Sequence, residues 1–224
     1  DIGDINLDPP IIPTNVFAVG LNYKKHAEES NLEIPHFPMI FTKHSTCISG
    51  PKSDICMKSD MVDYEAELVF VIGKGGKDIS KEDAWQHVAG LCVGQDISDR
   101  PVQFHATPPQ FNLGKSFDTF GPIGPYLVTT DEIPDPQNLK MWLEVNGKKM
   151  QNGSTNTMVY GVNFLISYLS QFMSLQPGDI ISTGTPPGVG SAKKPEPRYL
   201  REGDVMELWI EGLGTQKQTV ARDA

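Results

Sequence analysis

Asp63-Tyr64-Glu65-Ala66-Glu67-Leu68-Val69-Phe70-Val71-Ile72 reads as a β-strand carrying two acids where apolar residues belong. Side chains two apart on a strand share a face, about 6–7 Å from one another. One face therefore carries Glu65, Glu67, Val69 and Val71, and the other Tyr64, Ala66, Leu68, Phe70 and Ile72. A strand this apolar on both faces is expected to be covered on both sides. Two carboxylates at its start are then desolvated like charges, an unfavourable arrangement unless a cation compensates. The strand alone leaves two readings open: a divalent metal site, or a solvated strand end whose acids face water.

Outward from this strand, short apolar runs are punctuated by 21 glycines and 18 prolines, a β-rich signature rather than a βαβ repeat. Strands are expected at residues 16–20, 39–41, 65–72, 89–95, 124–128, 140–145, 179–183 and 205–210. Asn146-Gly147 after the fifth apolar residue run signals a type I′ hairpin. Helices look few. Ser80 with Asp83 three residues on is a capping signature for a helix over 81–88. Leu165, Tyr168, Leu169 and Phe172 give a helix over 162–173 one apolar face, and a short helix fits 23–30. No linker or composition break divides the chain, so a single domain over residues 1–224 is expected.

A net charge of −9, with no basic stretch interleaved with aromatics, argues against nucleic acid and against an anionic membrane surface. No apolar run approaches the length of a membrane span. Cys47, Cys56 and Cys92 show no C-x-x-C spacing and fit buried small hydrophobes in a reducing cytosol, hence a cytoplasmic location. The chain opens on Asp1 rather than Met; the first dozen or so residues read as the remnant of a short N-terminal region, with which an organellar signal could be lost.

Asp96 ends the apolar run Leu91-Cys92-Val93-Gly94-Gln95, a third acid misplaced for a core. With Glu65 and Glu67 it makes an all-oxygen set suited to Mg²⁺ or Mn²⁺, with Ca²⁺ possible in a crystal; zinc would prefer His or Cys. His26 and Glu29 stand three apart, side by side on a helix. A carboxylate beside an imidazole orients it and raises its basicity, as in a water-activating base; an ordinary charged helix surface is the alternative. His36, His44, His87 and His105 have no partner at a telling spacing and are expected on the surface or in loops. Gly184-Thr185-Pro186-Pro187-Gly188-Val189-Gly190 follows a strand but opens no helix, so it is neither a Walker loop nor a dinucleotide fingerprint. Gly73-Lys74-Gly75-Gly76-Lys77 lacks that spacing too and reads as a hairpin turn.

Six segments in order carry a resemblance. They are Val-Gly-x-Asn-Tyr-x-x-His-x-x-Glu at 19–29, Phe-x-Lys-x-Ser-Thr at 41–46 and Asp-Tyr-Glu-x-Glu-Leu at 63–68. Gly-Gln-Asp-Ile-Ser-x-Arg follows at 94–100, Gly-Lys-Ser-Phe-Asp-Thr-Phe-Gly-Pro at 114–122, and Gly-Asp-Ile-Ile-Ser-Thr-Gly-Thr-Pro-Pro-Gly-Val-Gly at 178–190. On these the chain resembles the fumarylacetoacetate hydrolase family over nearly its whole length.

The resemblance implies an α+β, predominantly β fold, a mixed β-sandwich roll of the family's C-terminal domain type, in a homodimer. It implies metal ligands at Glu65, Glu67 and Asp96, a His26–Glu29 dyad, a catalytic lysine at Lys115, and substrate contacts from Lys43, Arg100, Gln103 and Thr185. Leu21 departs from the pattern, standing where many small family members carry arginine. The chemistry implied is hydrolysis of a carbon–carbon bond in a 2,4-dioxo acid, of the acylpyruvate or dioxo sugar acid type, by water that His26 activates, with the metal stabilising the enolate. Oxaloacetate decarboxylation or 2-hydroxyhepta-2,4-diene-1,7-dioate isomerisation on the same site is the alternative, and a non-catalytic binding domain a third.

Overall fold

The computed structural model describes residues 7–222. Its strands in chain order are β1 (Val16–Gly20), β2 (Met39–Lys43), β3 (Ile48–Ser49), β4 (Ile55–Met57), β5 (Val62–Asp63), β6 (Ala66–Ile72) and β7 (Val88–Gln95). They continue with β8 (Ser98–Asp99), β9 (Gly121–Thr129), β10 (Lys140–Val145), β11 (Lys148–Ser154), β12 (Ile180–Ser182), β13 (Val205–Ile210) and β14 (Gly214–Arg222). The helices are α1 (Lys24–Glu29), α2 (Arg100–Gln103), α3 (Phe111–Gly114) and α4 (Val162–Phe172).

A seven-stranded sheet runs β2-β1-β12-β6-β7-β9-β3, a five-stranded sheet runs β11-β10-β13-β14-β4, and β5 pairs with β8. Most pairs are antiparallel, but β1–β12, β3–β9 and β4–β14 are parallel. The fold is therefore mostly β with mixed sheets. The opening strand explains the architecture. Ala66, Leu68, Phe70 and Ile72 of β6 enter the large core with Met141, Leu143, Leu165 and Leu208, between the two main sheets and α4. Val69 and Val71 enter a smaller core with Val16, Cys92, Ile123 and Ile180. Both faces are covered, as the apolar pattern required.

Several expectations change against the structure. The helix expected over 81–88 is a single 3₁₀ turn, Ala84–His87. The capping contacts form, with Ser80 Oγ donating to Asp83 Oδ2 at 2.9 Å and accepting from Asp83 N at 3.1 Å. The chain must straighten at Val88 to enter β7, and the His87 carbonyl accepts from Gly73 N and Lys74 N. His87 is correspondingly buried, its Nδ1 at 2.6 Å from Lys74 O, not a surface histidine. Residues 73–77 form no tight hairpin: Gly76 exchanges two backbone hydrogen bonds with Leu175. On α4 the buried face is Val162, Leu165, Ile166 and Leu169, and Phe172 is exposed.

β14 escaped the sequence reading because its inward face carries Gln216 and Gln218, both fully buried. Gln216 Nε2 donates to the carbonyls of Val93, Pro122 and Gly124, and Gln218 Nε2 to Pro51 O, tying the two sheets together through polar side chains. The Asn146-Gly147 hairpin is present, with φ +52° and +72° as a type I′ turn requires. Cys47 and Cys92 are buried, Cys56 half-buried, and all three are free thiols.

Candidate active site

Register places the acids. β6 pairs with β7 so that Glu67 lies opposite Gly94, and Asp96 N donates to Glu65 O at 3.0 Å just beyond the strand ends. Glu65, Glu67 and Asp96 are all buried, and each offers an oxygen within 4.8 Å of the others. Gly94 matters here: a Cβ at that position would meet a methyl of Val69.

Cations surround two of the three acids. Lys115 Nζ donates to Asp96 Oδ2 at 2.6 Å, Ser98 Oγ at 2.7 Å and Glu65 Oε2 at 3.0 Å. Arg100 Nη2 donates to Glu65 Oε1 at 2.8 Å, and Lys43 Nζ to Asp96 Oδ1 at 2.6 Å. Burial would raise the Glu65 carboxyl, but Lys115, Arg100 and His26 outweigh it and hold it down at about 2. Glu67 has no such partner. It accepts from Ser182 Oγ and from Gly184 N, and burial followed by repulsion from Asp96 and Glu65 pushes it up to about 8. Four buried acids (Asp63, Glu65, Glu67, Asp96) face three buried cations (Lys43, Arg100, Lys115), so one negative charge is in excess whenever Glu67 ionises. The oxygen-only donor set and this charge excess fit a hard divalent cation.

The dyad stands on α1. His26 Nδ1 lies 2.8 Å from Glu29 Oε1. A carboxylate only accepts, so in the neutral ring Nδ1 carries the hydrogen and Nε2 the lone pair. His26, Glu29, the three acids and Lys115 all line one cavity of about 400 Å³. The loop after β12 then ties the parts together through its backbone. Gly184 N donates to Glu67 Oε2 at 2.9 Å, and Gly188 N to both oxygens of Glu29, at 2.8 and 3.0 Å. Gly190 N and Ser191 N donate to Asp63, at 2.6 and 2.9 Å. Gly184 and Gly188 hold φ of +92° and +112°, which a side chain would strain.

The expected substrate contacts separate. Arg100 and Gln103 line the cavity, with Arg100 Nη1 donating to Gln103 Oε1 at 2.8 Å. Thr185 lines it too, but its hydroxyl already donates to Ala66 O and accepts from Gln151 Nε2. Lys43 sits behind Asp96, bonded to it and to Phe120 O, and is not among the lining residues. Its contact here is Asp96 rather than the cavity.

Asp63, Ser98, Gln151 and Ser182 went unread in the sequence as site residues. Asp63 accepts from Arg100 Nε and Nη2 at 3.0 and 2.7 Å, so it holds the arginine that holds Glu65. Only its place beside Glu65 in the opening strand could have drawn attention to it.

A mostly β fold with a buried triad of acids, a lysine across it and a histidine–carboxylate pair on one cavity defines a class of enzyme that acts on small substrates. The family model for the fumarylacetoacetate (FAA) hydrolase C-terminal domain matches residues 15–221, and the chain belongs to that family. A protein of Burkholderia multivorans named "putative hydrolase" is 52% identical over 202 residues, covering 89% of this chain and 71% of its own. The structure of a probable 2-hydroxyhepta-2,4-diene-1,7-dioate isomerase from Mycobacterium abscessus superposes with a TM-score of 0.88 at 37% identity, covering 99% of this chain and 80% of that one. Fumarylpyruvate hydrolase from Pseudomonas aeruginosa, solved with Mn²⁺ and pyruvate, superposes at 0.85 and 32% identity, covering 95% and 91%. No helix among the described residues is long and apolar enough to cross a membrane.

Proposed function

We propose that this chain is a divalent-metal-dependent hydrolase that cleaves the C3–C4 bond of a 2,4-dioxo acid, with residues 1–224 forming one catalytic domain that works as a homodimer. The observation that carries the reading is the His26–Glu29 pair on the same cavity as the buried triad Glu65, Glu67 and Asp96. Those three acids would hold Mg²⁺ or Mn²⁺, the ion bound by the fumarylpyruvate hydrolase relative being Mn²⁺. When bound, the ion supplies Lewis acidity to the 2-oxo acid end of the substrate.

The chain's own groups supply the rest. Glu29, clamped by Gly188 N, fixes the His26 tautomer, and Nε2 removes a proton from water. The water oxygen bonds to C4, the C3–C4 bond breaks, and its electron pair stays on C3 as the enolate of pyruvate. C3 then takes up a proton, and a carboxylic acid leaves from the other half. Lys115, with its ammonium already among Glu65 and Asp96, stabilises negative charge as it develops at this end of the cavity. Arg100 and Gln103 border the same space, and Gln103 adds a polar side chain to it.

Isomerisation of a dioate is the second reading, supported by the isomerase relative, and it needs no attacking water. Assays of acylpyruvates, a dioxo sugar acid, oxaloacetate and hydroxydienedioates with Mg²⁺ and Mn²⁺ separate the readings. His26→Ala is expected to lower acylpyruvate hydrolysis by about 10²–10⁴-fold. An equal loss in a reaction that needs no water would show that His26 serves substrate binding instead.

A further inference from the structure

The cavity lining combines two unlike sets of side chains: the acids with Arg100 and Lys115, and the rings of Phe41, Phe104 and Phe111, with Lys115 Nζ 5.4 Å from the centre of the Phe41 ring. The same two short helices build both. α2 carries Arg100 and Gln103 and ends at Phe104, while α3 starts at Phe111 and ends just before Lys115. Asp99 Oδ1 caps α2 through Val102 N at 3.1 Å. Gly114 lets α3 press onto it, since a Cβ there would lie 2.6 Å from Gln103 N. The rings pack edge to face, Phe41 on Phe111 at 5.5 Å and 75°, and Phe104 on Phe111 at 5.9 Å and 77°. Phe104 nonetheless leaves 52% of its surface exposed, an apolar face a ligand would cover.

Two of the cations at this cavity are already committed. Arg100 holds Asp63 and Glu65, and Lys115 holds Glu65 and Asp96. Lys194 is a lining residue with no acid partner among the described residues, and it is exposed to water. With Arg100 and Lys115 already paired, a second carboxylate on a substrate would meet three rings and one solvated ammonium, whereas an apolar group would pack on the rings. Resting on the 2,4-dioxo acid reading above, we propose that Phe41, Phe104 and Phe111 are specificity-determining residues that seat an apolar aryl or branched alkyl group, borne on the carbonyl that water attacks.

The test is calorimetric titration of the Mn²⁺-loaded protein with two 2-oxo acids that lack the cleavable bond: 2-oxo-4-phenylbutanoate and 2-oxoadipate. The phenyl compound is expected to bind at least about tenfold more tightly, and Phe111→Ala or Phe104→Ser to reduce that preference to about threefold or less. Equal or tighter binding of 2-oxoadipate, weakened by Lys194→Ala, overturns the inference while leaving the 2-oxo acid site standing. Absence of binding by both compounds overturns the site reading and this inference together.

Discussion

Replacing Asp63 by asparagine keeps the shape and removes one buried charge, and the consequences can be worked out bond by bond. Oδ2 accepts from Arg100 Nε, Arg100 Nη2 and Ser191 N; Oδ1 accepts from Tyr64 N and Gly190 N. An asparagine amide group must point its own hydrogens at one of these sets, donor against donor. Removing one partner of a buried ion pair costs about 3–5 kcal/mol, and because Arg100 keeps Glu65 the lower end applies, about 3 kcal/mol. For a domain of this size that is a fall of about 6–12 °C in Tm. Differential scanning calorimetry of the chelator-treated protein measures it, with the exposed Glu33→Gln as a charge-matched control. The substitution also removes the negative charge left in excess when Glu67 ionises to take up the ion, so Mn²⁺ affinity should fall several-fold. A loss below about 1 kcal/mol, or an unchanged Mn²⁺ affinity, would refute the view that Asp63 anchors Arg100 and sets the charge of the site.

Further outcomes follow from other contacts. Glu67 is raised from an unfolded value near 4.5 to about 8, so between those values the folded protein keeps a proton that the unfolded chain has released. Metal-free stability should therefore decline as pH rises across that window, by up to about 1.4 kcal/mol per pH unit; Glu67→Gln should flatten the profile, and a wild-type protein already flat would contradict the assignment. Glu67→Ala should abolish most Mn²⁺ binding with the fold intact, and full affinity by calorimetry would remove Glu67 from the ligand set. Gly188→Ala would push a Cβ into Met150 O and shift the amide that clamps Glu29. Hydrolysis should drop at least about tenfold with Mn²⁺ affinity little changed, and parallel loss of both would show a general collapse instead.

The acids were legible because a carboxylate interrupts an alternation that otherwise reads cleanly, at Glu65 and Glu67 and again at Asp96. The spacing of His26 and Glu29 was legible as a helix-surface distance, but it fitted an ordinary charged face equally, and the resemblance was what singled the pair out. The same logic fails for β14, whose inward Gln216 and Gln218 hide a strand from any apolar pattern. It also fails over 81–88, where local capping chemistry is satisfied but the entry into β7 halts the helix after one turn. Lys43 and Thr185 show a different limit. Residue type and order bring them to the site, but which side of Asp96 or of Ala66 they occupy depends on strand register. Asp63 is the extreme case, since two of its partners lie 127 and 128 residues away in a loop that has no side chain to announce the contact.

That loop has a consequence for how the enzyme can change. Glu67, Glu29 and Asp63 are all gripped by main-chain amides, from Gly184, Gly188, Gly190 and Ser191, so the contacts are made by backbone and the three glycines serve to let it pass. Exchanging Val189 or Ser191 for residues of similar bulk would leave these amides in place. Adding or deleting a single residue would not, because each step along the chain displaces every later amide by about 3.3 Å, more than the length of a hydrogen bond. Triad and dyad would lose alignment at one stroke. A library that varies Val189 and Ser191 at constant length, with the glycines kept, should yield many active members, and one that varies length should yield almost none.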